Sequence, residues 1–123
     1  PIRYVNRGYT HAQLYGFFRA AKIGLVTPLR DGMNLVAKEY VAAQDPDDPG
    51  VLILSRFAGA AQQLEDAVLV NPHSPDDVAH AIGKALDMTI DERRARYDKM
   101  VRTVHDDNVQ NWTKNFLRDL SEA

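Results

Sequence analysis

The segment IGLVTPLRDGMNLVAKEY, residues 23–40, constrains the fold more than any other part of the chain. The run at 23–26 is apolar and rich in strand-forming residues. Pro28 ends this strand, because proline has no N–H to donate to a neighbouring strand. After the turn at 29–34, the apolar side chains of 35–41 predict a helix that is buried on nearly every side. A strand, a sharp turn and a buried helix in this order predict a parallel α/β unit.

The same alternation of strand and helix runs through the rest of the chain. Four short apolar runs predict strands, at residues 2–5, 23–26, 51–54 and 67–70. Helices are expected after Thr10, Ser74 and Thr89, each of which can cap a helix. Strands that alternate with helices form parallel sheets. We therefore expect an α/β fold with a partial Rossmann-like parallel sheet of about four strands, flanking helices and C-terminal helices.

The turn at 29–34 has the parts of an anion-binding site. Ligands of open parallel sheets collect outside the carboxyl ends of the strands, where a helix N-terminus offers free N–H groups and a positive dipole end. Gly32 removes a side chain where backbone and ligand must meet closely, and Asp31 and Asn34 add polar groups. Spacing alone favours a plainer interpretation, in which Asp31 or Asn34 caps the helix and Gly32 only serves the turn.

Glu39 is harder to explain as part of the scaffold. It follows Leu35 by four residues and so lies on the same helix face, about one turn deeper. An unpaired charge in an apolar helix would cost several kcal/mol, on the order of 2–7. A carboxylate one turn below a phosphate site could instead accept hydrogen bonds from sugar hydroxyls.

Composition excludes several classes of function. The 123 residues are 45% hydrophobic and 26% charged, which is ordinary for one soluble globular domain. The net charge of −2 gives no basic field for nucleic acid or an anionic membrane, and no apolar run approaches the roughly 20 residues that span a bilayer. The chain has no cysteine, so disulfides and thiolate metal sites are excluded.

The remaining motifs favour neither a metal site nor a hydrolase. The four histidines do not have a recognisable metal-ligand spacing. The serines lack the GxSxG turn of a nucleophile. The segment 44–50 carries three aspartates, but their spacing is not followed by the glutamate of a calcium loop, so we expect an exposed connecting loop.

Three blocks carry a resemblance to a known family: LVTPLRDGMNLVAKEYVAAQ (25–44), GVLILSRFAGAAQQL (50–64) and AVLVNP (67–72). Together they resemble the trehalose-6-phosphate synthases, retaining glycosyltransferases with two Rossmann-like domains (the GT-B fold). The resemblance runs from about residue 4 to residue 120. It implies transfer of glucose from UDP-glucose to glucose 6-phosphate, with release of UDP.

The resemblance also implies seven donor-binding residues: Asp31, Gly32, Met33, Asn34, Leu35, Val36 and Glu39. Asp31 would hold glucose hydroxyls, and Glu39 would hold the ribose hydroxyls. The backbone N–H groups of 32–34 would help to hold the sugar, and those of 35–36 would meet the diphosphate. The resemblance implies no catalytic residue in this chain and no metal. It also implies no other cofactor, because UDP-glucose is a substrate.

The resemblance places residues 1–123 in the C-terminal part of the nucleotide-sugar-binding domain. The chain opens in mid-pattern at Pro1, which suggests a piece of a longer protein. In the family the helix at 109–121 crosses back to the N-terminal Rossmann-like domain. Without that domain, Trp112 and Phe116 would be exposed or would pair with a second copy in a homo-oligomer. We expect a cytoplasmic protein without nucleic-acid or membrane partners.

Three other interpretations stay open at this point. The protein could be a related glucosyltransferase with another acceptor, or a pseudo-glycosyltransferase. It could be a non-catalytic Rossmann-like binding module that keeps the fold without the chemistry. It could also be a small flavodoxin-like protein that is complete in itself.

Overall fold

The structure, a computed structural model, describes residues 2–122. Within this range the helices are α1 (His11–Ala20), α2 (Leu35–Ala43), α3 (Pro75–Asp87), α4 (Ile90–Asp106) and α5 (Val109–Glu122). The strands are β1 (Ile23–Val26), β2 (Val51–Ser55) and β3 (Val68–Val70), and a short 3₁₀ helix (Gly59–Gln62) lies between β2 and β3. The side-chain oxygens of Thr10, Ser74 and Thr89 cap α1, α3 and α4, as the sequence predicts.

The three strands form one parallel sheet in the order β1-β2-β3. In the register, Ile23 lies opposite Val51 and Ile53 lies opposite Val68. The central strand β2 is buried along its whole length, as its unbroken apolar run predicts. The predicted parallel α/β fold is therefore confirmed, with three strands instead of about four.

The prediction of a strand at 2–5 is wrong for the described chain. These residues pair with no strand, and Ile2 is 99% exposed. Apolar alternation reports only a tendency to form a strand, whereas a strand also needs a neighbour with free N–H and C=O groups. No such pairing forms within residues 2–122, so the segment has no regular secondary structure and is exposed.

The core consists of two layers, one on each face of the sheet. Leu52 and Leu54 point to one face and pack with buried side chains of α2 and α4. Val51 and Ile53 point to the other face and pack against α3. This alternation along β2 places α2 on one face of the sheet, with its N-terminus at the carboxyl ends of the strands.

Tyr40 and Gln44 join α1, α2 and the start of β2. The Tyr40 ring lies over Gly24, where an added Cβ would approach the ring to 2.8 Å, and its hydroxyl donates to the Ala21 carbonyl at 2.9 Å. The Gln44 amide donates to the Phe18 carbonyl at 2.7 Å and accepts from the Gly50 N–H at 2.8 Å. Gln44 is only 3% exposed, so the prediction of an exposed loop at 44–50 is wrong at both of its ends.

The burial of Tyr40 predicts an alkaline loss of stability. Burial raises the pKa of its hydroxyl above the ordinary value near 10. Because the folded state holds this proton more tightly than the unfolded state does, the contribution is complete below about pH 10 and is lost as the pH rises further. We expect the free energy of unfolding, measured in urea, to decline above about pH 10.

Tyr40→Phe provides the control for this alkaline decline. It removes the titrating group and costs about 1 kcal/mol at neutral pH, through loss of the bond to Ala21. Above about pH 10 the variant should therefore lose less stability than the native chain. Parallel curves for the two proteins over that range would contradict the assignment.

The last helix, α5, lies apart from both layers. None of its described side chains is buried, and Trp112 and Phe116 are exposed and stacked on each other with ring centroids 5.2 Å apart. An apolar stripe of this kind is typical of a surface that another part of a protein covers. Within residues 2–122, none of the helices has the length and apolar character that crossing a membrane requires.

Candidate functional site

Two loops meet at the carboxyl edge of the sheet, the loop after β1 and the loop after β2. The Asp31 N–H donates to the Phe57 carbonyl at 3.3 Å, and the Gly59 N–H donates to the Asp31 carbonyl at 2.9 Å. The Ala60 N–H donates to the Met33 carbonyl at 2.7 Å. These three bonds fix the loop 27–34 on the central strand and its loop, at the edge where parallel sheets hold their ligands.

The two glycines of these loops have different roles. A Cβ on Gly59 would lie 2.1 Å from the Gly32 carbonyl oxygen, so only glycine lets the two backbones approach this closely. A Cβ on Gly32 would meet nothing within 4 Å, and no glycine has a positive φ. Neither backbone conformation nor packing within the described chain requires glycine at position 32. The space beside it is open to a ligand.

Asp31 and Asn34 form a short hydrogen-bonded relay into α2. The Asp31 carboxylate accepts from the Met33 N–H through Oδ1 and from the Asn34 side-chain amide through Oδ2, both at 3.0 Å. The Asn34 Oδ1 in turn accepts from the Ala37 N–H at 3.0 Å, which makes Asn34 the N-cap of α2. Of the two candidate caps, the structure therefore selects Asn34 and leaves Asp31 to orient it.

The cap leaves the first N–H groups of α2 free. Among residues 2–122, no acceptor is hydrogen-bonded to the N–H of Gly32, Leu35 or Val36. Leu35 is 64% exposed and Val36 is 47% exposed, so packed side chains do not cover this end of the helix. The N–H of Met33 differs, because it is already engaged by Asp31. The result is an open helix N-terminus with a carboxylate beside it.

The prediction that α2 is buried on nearly every side is wrong. Ala37, Tyr40 and Val41 are its buried residues, and they share one face. Glu39 lies on the opposite side of the helix, half-buried, on the same face as Leu35. Glu39 is therefore not a charge buried within an apolar helix, and its burial alone does not require a functional role. Its position, four residues along the open face from Leu35, is the one that the sequence predicts.

Glu39 lines a groove between α1, α2 and the end of α4 with a volume of about 560 Å³. The other lining residues are Tyr15, Gly16, Arg19, Lys38, Ala42, Ala43 and Val104. Leu35 and Val36 are not among them, so the groove runs beside the open helix end and is not continuous with it. Sequence reasoning missed this groove, because no local pattern reports which residues of α1 face which residues of α2.

Tyr9 packs against α1. Its ring meets the Phe17 ring edge-on with centroids 5.0 Å apart, and the Arg7 guanidinium lies over it at 5.0 Å. Together with Tyr4 and Phe17 these residues line a second cavity of about 660 Å³. The loop 29–36 does not contribute to that cavity.

The other chemistry-bearing residues have structural roles or stand apart. Ser55 is fully buried, and its hydroxyl accepts from the Phe57 N–H at 3.1 Å. No group of three or more His, Asp or Glu side chains in residues 2–122 is arranged to hold a metal ion. The candidate site therefore consists of Asp31, the Asn34 cap and the open end of α2, with Glu39 one turn along.

The sequence matches one family along nearly its whole length. The family model of "Glycosyltransferase family 20" matches residues 1–122. A trehalose-6-phosphate synthase from Enterobacter sp. (strain 638) is 54% identical over 123 residues, which are 100% of this chain and 26% of that relative. The chain thus spans about a quarter of the length of such relatives.

Solved structures of similar proteins share the fold of the chain. An α,α-trehalose-phosphate synthase (UDP-forming) from Burkholderia xenovorans, in complex with glucose-6-phosphate, is 55% identical with a TM-score of 0.94, over 98% of this chain and 27% of that one. A structure from E. coli bound with UDP-2-fluoro glucose is 49% identical with a TM-score of 0.92, over 98% and 27%. The segment therefore has the fold of the matching part of these GT-B enzymes.

Proposed function

Because this chain belongs to glycosyltransferase family 20, we propose that it forms part of the donor site of an α,α-trehalose-6-phosphate synthase. The reaction is the retaining transfer of glucose from UDP-glucose to glucose 6-phosphate. The relatives span about four times the length of the chain, so the activity belongs to a longer protein that carries these residues. The open N-terminus of α2 is the observation that carries the proposal.

The open helix end suits the diphosphate of the donor. The free N–H groups of Leu35 and Val36 donate to phosphate oxygens, and the positive end of the helix dipole favours their negative charge. Asn34 takes up the third N–H of the helix, that of Ala37, and leaves the first two for the ligand. The cap and the diphosphate therefore use different N–H groups of the same helix end.

The sugar lies beside Asp31 and Gly32 in this proposal. The Asp31 carboxylate is fixed by two hydrogen bonds, and its remaining lone pairs can accept from glucose hydroxyls. The open space at Gly32 lets the sugar approach the backbone, where the N–H groups of Gly32 and Asn34 are donors. The Met33 N–H would reach the sugar only by releasing Asp31, so its main part is to hold that carboxylate.

Glu39 binds the ribose hydroxyls in the same arrangement. It lies on the helix face of Leu35, about 6 Å further along the axis at 1.5 Å per residue. A nucleoside diphosphate whose phosphates meet the N-terminus of α2 extends its ribose along this face. The half-buried Glu39 carboxylate has no hydrogen-bond partner among residues 2–122 and is free to accept from two vicinal hydroxyls.

The chemistry needs no covalent carboxylate intermediate and no metal. The bond between the glucose anomeric carbon and the phosphate oxygen breaks, and its electron pair leaves with UDP. A new bond forms from the anomeric carbon to the acceptor hydroxyl oxygen, on the face that UDP leaves, and the hydroxyl proton is released. The helix N–H groups stabilise the charge that develops on the diphosphate. Catalytic residues and the acceptor phosphate site are supplied by other parts of the longer protein.

Release of UDP by the full-length protein tests the proposal. We expect UDP to form from UDP-glucose only when glucose 6-phosphate is present. UDP release with a different acceptor would indicate a related glucosyltransferase instead. A folded protein that binds UDP but releases none with any sugar phosphate would indicate a pseudo-glycosyltransferase or a binding module.

The chain alone is expected to bind UDP weakly and to turn over nothing. The open end of α2 supplies only part of the contacts, and a partial site loses the affinity that the other groups provide. Calorimetric titration of the 123-residue chain with UDP should show binding weaker than micromolar. A micromolar dissociation constant would contradict the view that the donor site is shared with other parts of the protein.

Gly32→Ala separates a ligand-binding glycine from a structural one. The new methyl group has open space and an allowed backbone conformation, so the free energy of unfolding should stay unchanged or rise by about 0.4–1 kcal/mol. The same methyl group would enter the space proposed for the sugar and raise KM for UDP-glucose by about 10-fold, roughly 1.4 kcal/mol. A stable variant with native KM would remove Gly32 from the site.

We also propose that the N-terminal Rossmann-like domain of the longer protein covers the exposed stripe of α5. Any homo-oligomer forms around that assembly. The protein acts in the cytoplasm, without nucleic acid, membrane or cofactor. Light-scattering mass of the full-length protein, together with the emission wavelength of Trp112, would test whether this helix is covered.

A further inference from the structure

The side-chain amide of Asn34 makes two hydrogen bonds in opposite directions. Its Nδ2 donates to Asp31 Oδ2 and its Oδ1 accepts from the Ala37 N–H, each at 3.0 Å. One side chain therefore connects the carboxylate proposed for the sugar with the helix end proposed for the diphosphate. We propose that Asn34 is a positioning residue, which sets the Asp31 carboxylate for the glucose ring relative to the free N–H groups of α2. This inference rests on the proposed function.

The amide of Asn34 serves both partners from two separate atoms. The Asp31 carboxylate offers acceptor oxygens, and the Ala37 N–H offers a donor. The side chain between them must donate on one side and accept on the other, which fixes the orientation of the amide. An aspartate at position 34 would still cap the helix, but it would set a second carboxylate against Asp31.

The backbone of Asn34 provides the second observation. Its φ of 76° is the only positive φ of a non-glycine residue among residues 2–122. The left-handed region disfavours side chains other than asparagine, aspartate and glycine. A helix cap alone does not require this conformation, because Thr10, Ser74 and Thr89 cap their helices with an extended backbone. The turn at Asn34 instead brings its side chain back towards Asp31.

Two variants of the full-length enzyme separate positioning from capping. Asn34→Gly keeps the left-handed backbone at little cost and removes both side-chain bonds. Asn34→Asp keeps the cap and replaces the attraction to Asp31 by repulsion. If Asn34 were only a cap, both variants would fold and act like the native enzyme. If it positions Asp31, both should fold but use UDP-glucose poorly.

We expect the loss in Asn34→Gly to concern the glucose part of UDP-glucose and not its UDP part. For both variants kcat/KM for UDP-glucose should fall by about 10- to 100-fold, the effect of losing one hydrogen bond to a charged group. For Asn34→Gly the inhibition constant of UDP, which lacks the glucose, should stay within about 2-fold of native, and Tm within a few degrees. The added carboxylate of Asn34→Asp also repels the diphosphate, so that variant should bind UDP more weakly as well. Asn34→Asp should be the more impaired of the two.

Each other outcome is decisive. Native kcat/KM in a folded Asn34→Gly enzyme would overturn the inference and leave the proposed function intact. Equal losses for UDP-glucose and for UDP in Asn34→Gly would also overturn it, because they would show that Asn34 only supports the helix end. A native enzyme that releases no UDP would overturn the proposed function and this inference together.

Discussion

Replacing Gly59 with alanine is expected to destabilise the chain by about 3 kcal/mol or more. The new Cβ would lie 2.1 Å from the Gly32 carbonyl oxygen and 2.8 Å from its carbonyl carbon, so the two loops must move apart. Overpacking costs about 1–3 kcal/mol where side chains can adjust, and here both contacts are with backbone. The movement also weakens the bonds of Gly59 to Asp31 and of Ala60 to Met33, each worth about 1 kcal/mol.

Urea unfolding of Gly59→Ala beside Gly83→Ala measures this effect. Gly83 lies within α3, where an added Cβ meets nothing within 4 Å, so alanine should stabilise the chain there by about 0.8–1 kcal/mol. The two substitutions are chemically identical and should change the midpoint in opposite directions. A Gly59→Ala midpoint at or above the native value would show that the loops do not approach as described.

The second large effect is on activity, at Asp31. In the full-length enzyme, Asp31→Asn should lower kcat/KM for UDP-glucose by about 100-fold, because hydrogen bonds to a charged group are worth about 1.5–3 kcal/mol and each 1.4 kcal/mol is tenfold. The new amide must also place its N–H₂ against either the Met33 N–H or the Asn34 Nδ2, both of which are donors. The variant is therefore expected to lose the proposed sugar contacts and to disturb the cap of α2.

Asp87→Asn is the matched control for Asp31→Asn. Asp87 ends α3, is exposed and makes no side-chain hydrogen bond or salt bridge among residues 2–122. The control should keep native UDP release within about 2-fold, since surface changes of this kind stay within about 0.5 kcal/mol. Comparable activity of the two variants would remove Asp31 from the donor site.

Gly32 and Gly59 show what the sequence can predict about this site and what it cannot. Both glycines lie in loops at the carboxyl edge of the sheet, Gly32 after β1 and Gly59 after β2. Their roles are opposite, because one glycine faces open space and the other faces backbone at 2.1 Å. Which atoms lie opposite a residue distant in sequence is a property of the assembled loops, and no local pattern reports it.

Three other predictions from the sequence were wrong for the same reason, because local patterns do not report contacts between distant residues. The segment 2–5 has the alternation of a strand but no neighbour within the described chain, and Gln44 has the setting of a loop residue but is buried by α1 and β2. Glu39 stands in a largely apolar segment, 35–43, but lies on the face of α2 opposite its buried residues. In each case the outcome depends on which residues from distant parts of the chain pack against the segment, and the local pattern does not report this.

Local chemistry determined most of the fold and the place of the candidate site. Apolar runs, caps and Pro28 act through neighbouring residues, so the strand at 23–26, the turn and the start of α2 are readable from the sequence. Only the tertiary structure decided how the loop 27–34 is held, because its hydrogen bonds to Phe57, Gly59 and Ala60 join residues that are distant in the sequence. The local bonds of Asp31 and Asn34 engage the N–H groups of Met33 and Ala37 and leave those of Leu35 and Val36 free. Hydrogen bonds are satisfied in space, and the groups left over form the open site.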